Sequence, residues 1–174
     1  IEFDSLADIV AFGVAPSLLM YLYAGFEFGR FGIVASALFV IFGAVRLARF
    51  NVSTSQAEPS VFIGIPIPTA AVFISLLVLF FQKYTLGTEY GFVILVFALF
   101  LSFLMVSNIR YTSFKKVDTS AKYRMKLFVA VLFVALIIFI YPIEGFLLFF
   151  VLYILYGAIR ALALFFKHLT KINS

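Results

Sequence analysis

"EFDSLADIVAFGVAP", Glu2 to Pro16, decides how this chain is read. Two aspartates, Asp4 and Asp8, stand one helical turn apart at the lip of an otherwise apolar run. Like charges at i and i+4 repel by about 0.2–0.5 kcal/mol on an exposed helix, and by more where water is scarce. Something must make that arrangement tolerable.

The rest of the chain sets the scene. It is 65% hydrophobic and 12% charged, with a mean hydropathy of +1.18. A soluble domain carries roughly twice that charged fraction, so the composition is that of a membrane protein whose surface faces lipid. There is no cysteine, which excludes disulfides, thiolate metal sites and a cysteine nucleophile. The one histidine, His168, sits in a basic tail with no partner for a histidine metal site or triad. A net charge of +5 in so apolar a chain points to basic loops, because charge is expensive inside a bilayer.

Apolar runs of about 20 residues cross a bilayer as helices. Six such runs are expected, at residues 5–25, 31–50, 64–82, 90–109, 126–142 and 145–166. The breaks between them carry Gly, Pro or charge, and the last, "YPIEG" (Tyr141 to Gly145), reads as a tight turn. No internal repeat or low-complexity segment is visible, so the expected architecture is all-α: one polytopic membrane bundle over residues 1–174. Basic residues set its orientation. With the start of the chain inside, Arg46, Arg49, Arg110, Lys115, Lys116, Lys122, Arg124, Lys126, Arg160, Lys167 and Lys171 are all cytoplasmic, leaving only Arg30 and Lys83 outside. Asp4, Asp8, Arg46 and Arg49 then share the cytoplasmic half of the membrane.

Each candidate residue has two readings. Asp4 can cap the first helix and Asp8 can sit in the field of its positive end. Yet Asp8 lies a turn further in, beside Ile9 and Val10, where a cap has no use for a second carboxylate. The same helix face continues through Ala11, Phe12 and Ala15. Two carboxylates above such a small-residue groove can hold a hard divalent cation through oxygen, which turns their repulsion into shared attraction. In "RLARFN" (Arg46 to Asn51), Arg46 and Arg49 share a face. They can snorkel from a last helical turn to the headgroups, or clamp a phosphate or carboxylate bidentately. "GIPIPTAA" (Gly64 to Ala71) places Pro66 and Pro68 in a helix's first turn, as a stiff start or a small-residue approach to a cavity. The basic stretch from Arg110 to Lys126 reads as a positive-inside loop that also attracts anionic headgroups.

These three stretches together resemble the CDP-alcohol phosphotransferases, and within them the phosphatidylserine synthase branch. The family motif runs D-x2-D-G-x2-A-R-x8-G-x3-D-x3-D, and Asp4 and Asp8 match its last two aspartates. Its second glycine would fall immediately before Ile1, so the expectation is a fragment of a protein with eight transmembrane helices, six of them here. "DSLAD", "FGVAP" and "RLARFN" are typical of the serine-synthase branch.

The resemblance implies a membrane homodimer that transfers a phosphatidyl or archaetidyl group from a CDP-linked lipid to L-serine and releases CMP. It implies divalent cations, Mg²⁺ or Mn²⁺, gripping the diphosphate at the cytoplasmic face, and no nucleic acid partner. By position, Asp4 would be a metal ligand and Asp8 the general base that also touches metal. Arg46, Arg49 and Asn51 would face the acceptor or the phosphates. Phosphoryl transfer suits such parts, since it needs positioned metals and charge neutralisation more than covalent catalysis. Three rival readings stand beside this one, and the plainest, a purely structural multi-span subunit, would leave the charged pairs without purpose. An acceptor such as glycerol phosphate or an inositol phosphate would want more convergent arginines. A cation-coupled transporter would show a repeat and midplane charges, and neither is visible.

Overall fold

A computed structural model of the chain describes residues 2–53, 61–107, 110–112 and 121–156. Among them run six helices: α1 (Phe3–Gly25), α2 (Arg30–Ser53), α3 (Ile67–Lys83), α4 (Gly91–Val106), α5 (Ala121–Ile140) and α6 (Pro142–Tyr156). Each lies over one of the six expected runs; residues 157–166 of the sixth lie outside the described residues. By length and composition α1 and α2 can cross a membrane, while the apolar stretches of the other four are shorter, at 10–17 residues. α4, with 16 residues, rises about 24 Å, short of a hydrocarbon core of about 30 Å.

The helical expectation needs one addition. Strand β1 (Val61–Ile63) pairs antiparallel with β2 (Arg110–Thr112), Phe62 opposite Tyr111. This short pair joins the segment after α2 to the segment after α4. The chain is pressed against α4 as it leaves β1: Gly64 adopts φ +75°, and a Cβ there would fall on the Met105 carbonyl. Ile65 N–H then reaches the Leu104 carbonyl at 3.4 Å. Three-residue strands have too little length for a period-two pattern, so hydropathy could not show them.

Two other boundaries differ from expectation. "YPIEG" breaks only at Tyr141; α6 starts at Pro142, where a missing N–H costs nothing, and Glu144 and Gly145 are already helical. α2 runs on to Ser53, so Arg46 and Arg49 lie before the last turn rather than in it. The basic stretch is strand at Arg110–Thr112 and helical from Ala121, where α5 begins; residues 113–120 lie outside the described residues.

α1 is not uniform. It widens to π geometry at Val10–Val14 and again at Tyr21–Gly25. Ala15 N–H bonds to the Val10 carbonyl, five residues back, immediately before Pro16. A proline inside a helix lacks a donor and crowds the preceding turn; a π turn makes room for it.

α1 and α2 lie antiparallel with a fixed register. Near the turn that joins them the two backbones touch: a Cβ on Gly32 would fall on the Gly25 carbonyl. Midway, the buried Ser17 Oγ donates to the Ser36 carbonyl at 2.8 Å. At the far end Asn51 Nδ2 donates to Ser5 Oγ at 2.9 Å. Small residues at such crossings let helices approach closely in an apolar medium.

One cluster of buried residues runs from α1 through α4 and reaches Ile154 of α6. Phe39, Phe73, Ile94 and Met105 fill it, with Ala24, Ala35, Ala70 and Ala98 fully buried between the helices. The outward surface is apolar too. Along α5 every described side chain points outward in whole or part, Phe133 by 64% and Phe139 by 85%. Contiguous apolar surface on that scale is what a bilayer covers.

Candidate functional site

The carboxylates come from the first turns of α1. Asp4 lies inside the helix and not at a cap position. It is exposed, and Asp8 half-buried. Four residues at 1.5 Å rise set their backbones about 6 Å apart on one face.

The face below them opens as expected. Ala11, Phe12 and Ala15 form one wall of an apolar groove of about 530 Å³ between α1 and α3; Ala71, Val72 and Ser75 form the other. Ala71, the end of "GIPIPTAA", is therefore a groove residue, and Pro68 in the first turn of α3 sets its start.

Across from the carboxylates stands Arg46, half-buried on α2 and within electrostatic reach of Asp8 and of Tyr153 from α6. Its guanidinium lies 5.7 Å from the Phe50 ring centroid. Its Nε is buried and has no hydrogen-bond partner among the described residues. Buried donors are nearly always paired, so this one is arranged to meet an acceptor.

The two neighbours on α2 are used differently. Arg49 Nη1 donates to the Val106 carbonyl at the end of α4, at 3.3 Å. That carbonyl is among the last of its helix and lacks an intrahelical partner. Asn51 bonds Ser5, one residue from Asp4. The structure thus brings Asp8 and Arg46 together, and gives Arg49 and Asn51 partners within the fold. Ser5 carried no signal in the sequence beyond standing between the two aspartates.

Among the described residues, no three His, Cys, Asp or Glu side chains cluster as a cation site. Asp4 and Asp8 fit a divalent cation as part of a donor set: hard oxygens, both on one helix face, with an apolar wall beside them.

Comparisons with known proteins agree with the motif. The profile of CDP-alcohol phosphatidyltransferase matches residues 1–104. The CDP-diacylglycerol–serine O-phosphatidyltransferase of Helicobacter pylori is 55% identical over 170 residues, which is 96% of this chain and 69% of that protein. The protein of the same name from Methanocaldococcus jannaschii is 32% identical over 160 residues, 91% of this chain and 68% of that one. An archaetidylserine synthase from Methanothermobacter thermautotrophicus is 40% identical over 110 residues, 62% of this chain and 42% of that one. The chain belongs to the CDP-alcohol phosphatidyltransferase family.

Proposed function

We propose that this protein transfers a phosphatidyl group from a CDP-linked lipid to the hydroxyl of L-serine and releases CMP. The observation that carries the reading is the 55% identity, across 96% of the chain, to a CDP-diacylglycerol–serine O-phosphatidyltransferase. The geometry supports it: Asp8 lies within electrostatic reach of Arg46, whose buried Nε has no partner among the described residues, and the face that holds both aspartates continues into an apolar groove.

In this reading the serine oxygen forms a bond to the phosphorus next to the lipid, and the bond from that phosphorus to CMP breaks. Asp8 takes the serine proton, since a hydroxyl is a weak nucleophile until a positioned base removes it. Asp4 and Asp8 together offer carboxylate oxygens to Mg²⁺ or Mn²⁺; the bound cation would neutralise the diphosphate. Arg46 faces the acceptor or a phosphate oxygen, while Arg49 and Asn51 hold helix ends around the site. An alkyl chain of the lipid lies along the α1–α3 groove.

The wider reading is a six-span segment, residues 1–174 acting as one domain of a homodimer, with this site at the cytoplasmic face. The inside placement of 11 of 13 basic residues supports it. So does the meeting of Lys83 and Glu144, both expected outside, in one ion pair.

The test is CMP release by the purified full-length protein with CDP-diacylglycerol and Mn²⁺, comparing L-serine with glycerol 3-phosphate and inositol phosphate. Serine-dependent release is expected. Release with glycerol phosphate but not with serine would move the protein to another branch of the family.

A further inference from the structure

Ser5 stands where the fold has a specific mechanical need. The first two turns of α1, Glu2–Ile9, hold both aspartates, and the π turn at Val10–Val14 follows at once. A π turn interrupts the i→i−4 ladder, so it loosens the coupling between those turns and the body of the helix, which Ser17 fixes to Ser36. Packing holds this segment at its last residue, where Ile9 lies against the buried cluster, and does little before it. Phe3 is 84% and Leu6 58% exposed, and no described side chain of Glu2–Ile9 is buried. One hydrogen bond ties the segment to α2, Asn51 Nδ2 to Ser5 Oγ at 2.9 Å, and one rung further in Asp8 lies within electrostatic reach of Arg46.

We propose that Ser5 is a positioning residue: held by Asn51, its hydroxyl sets the rotation of the first turns of α1, and so where the Asp4 and Asp8 carboxylates stand. This rests on the proposed function. At 3.6 residues per turn Ser5 lies about 100° from Asp4 and about 60° from Asp8 around the helix, on their flank facing α2. At a side-chain radius of about 6 Å, a rotation of about 20° displaces a carboxylate by about 2 Å. A misplacement of about 1 Å already costs about a hundredfold where reacting groups must be aligned.

The same contact changes the role of Asn51, from substrate ligand to partner of Ser5. An amide that donates to a hydroxyl leaves that hydroxyl's own proton to bond elsewhere, so a threonine at position 5 can substitute where an alanine cannot.

The experiment uses the full-length protein and two readouts: binding of Mn²⁺ alone, followed by the loss of the free-ion electron paramagnetic resonance signal, and kcat and KM for CMP release. Ser5→Ala and Asn51→Ala should each weaken Mn²⁺ binding by about tenfold and lower kcat by about 10–100-fold, with KM for CDP-lipid within about twofold. The double variant should be no worse than either single one, and Ser5→Thr should restore both readouts. Asn51→Ala, made on the exposed side of the contact, keeps the test open should Ser5→Ala fold poorly. Asp4→Asn is the reference for loss of the site. If Asp4→Asn loses Mn²⁺ and the Ser5 and Asn51 variants bind it as wild type does, the positioning role is overturned and the proposed function stands. If Asp4→Asn also binds normally, the cation is not held at Asp4 and the positioning role is overturned with it; the proposed function falls only if CMP release does not depend on serine. Additive losses in the double variant would show two independent roles and overturn the proposal.

Discussion

Ser17 Oγ donates to the Ser36 carbonyl across the α1–α2 crossing at 2.8 Å, with both residues buried. It lies between the Gly25–Gly32 backbone contact and the Ser5–Asn51 bond, so one register carries the carboxylates of α1 to the arginines of α2.

The glycine contact should matter more for stability than the hydroxyl. Ser17→Ala removes one hydrogen bond, a loss of about 0.5–1.5 kcal/mol. Gly32→Ala drives a methyl into the backbone of α1, and overpacking of that kind costs about 1–3 kcal/mol. Thermal unfolding in detergent should therefore show the larger fall in Tm for Gly32→Ala. The opposite order would mean that the crossing can spread without penalty.

At the other end, Glu144 in the first turn of α6 accepts from Lys83 Nζ at 2.5 Å and from Tyr84 at 2.7 Å. Those two hydrogen bonds, that from Lys83 the stronger, hold its carboxyl down to about 2 from an ordinary 4.5. A depressed carboxyl contributes stability that is full above its unfolded value and is lost as pH falls through the folded one. The Tm difference between wild type and Glu144→Gln should thus be constant above pH 4.5 and shrink between 4.5 and about 2. A difference that does not change across that window would show that the pair does not hold α6 to α3.

The helices were legible because each apolar run is bounded by Gly, Pro or charge, and length alone identifies it. The groove was legible for a related reason: the face that holds Asp4 and Asp8 continues through Ala11, Phe12 and Ala15, and helical spacing keeps them together. What lay hidden depends on pairs distant in the chain. Arg49 and Val106, Lys83 and Glu144, and Ser5 and Asn51 meet only once register is set. Register leaves little trace here, since lipid-facing and core-facing positions are equally apolar. The π turn at Val10–Val14 escaped because it is set by backbone geometry around Pro16, not by hydropathy.

The two arginines should separate. Arg49→Ala deprives the end of α4 of a donor and should lower stability by about 1 kcal/mol, with little effect on substrate requirement. Arg46→Lys keeps the charge but loses the planar fork and the buried Nε. It should raise the serine or CDP-lipid concentration needed for half-maximal rate by about tenfold, read from CMP release, with Tm unchanged. Equal kinetic effects in the two variants would remove the distinction.

Orientation is checked by single cysteines, which the cysteine-free chain allows. Lys116→Cys should react with an impermeant thiol reagent only from the cytoplasmic side of oriented membranes, and Glu89→Cys only from the outer side. Labelling of position 116 from outside would invert the topology.

The central claim is that Asp8 removes the proton of the serine hydroxyl. Asp8→Asn preserves the shape of the side chain and takes away its basicity. In the full-length protein with CDP-diacylglycerol, L-serine and Mn²⁺, CMP release should fall by about 10²–10⁴-fold, while CDP-lipid still binds. Turnover at the wild-type rate in Asp8→Asn would contradict the account.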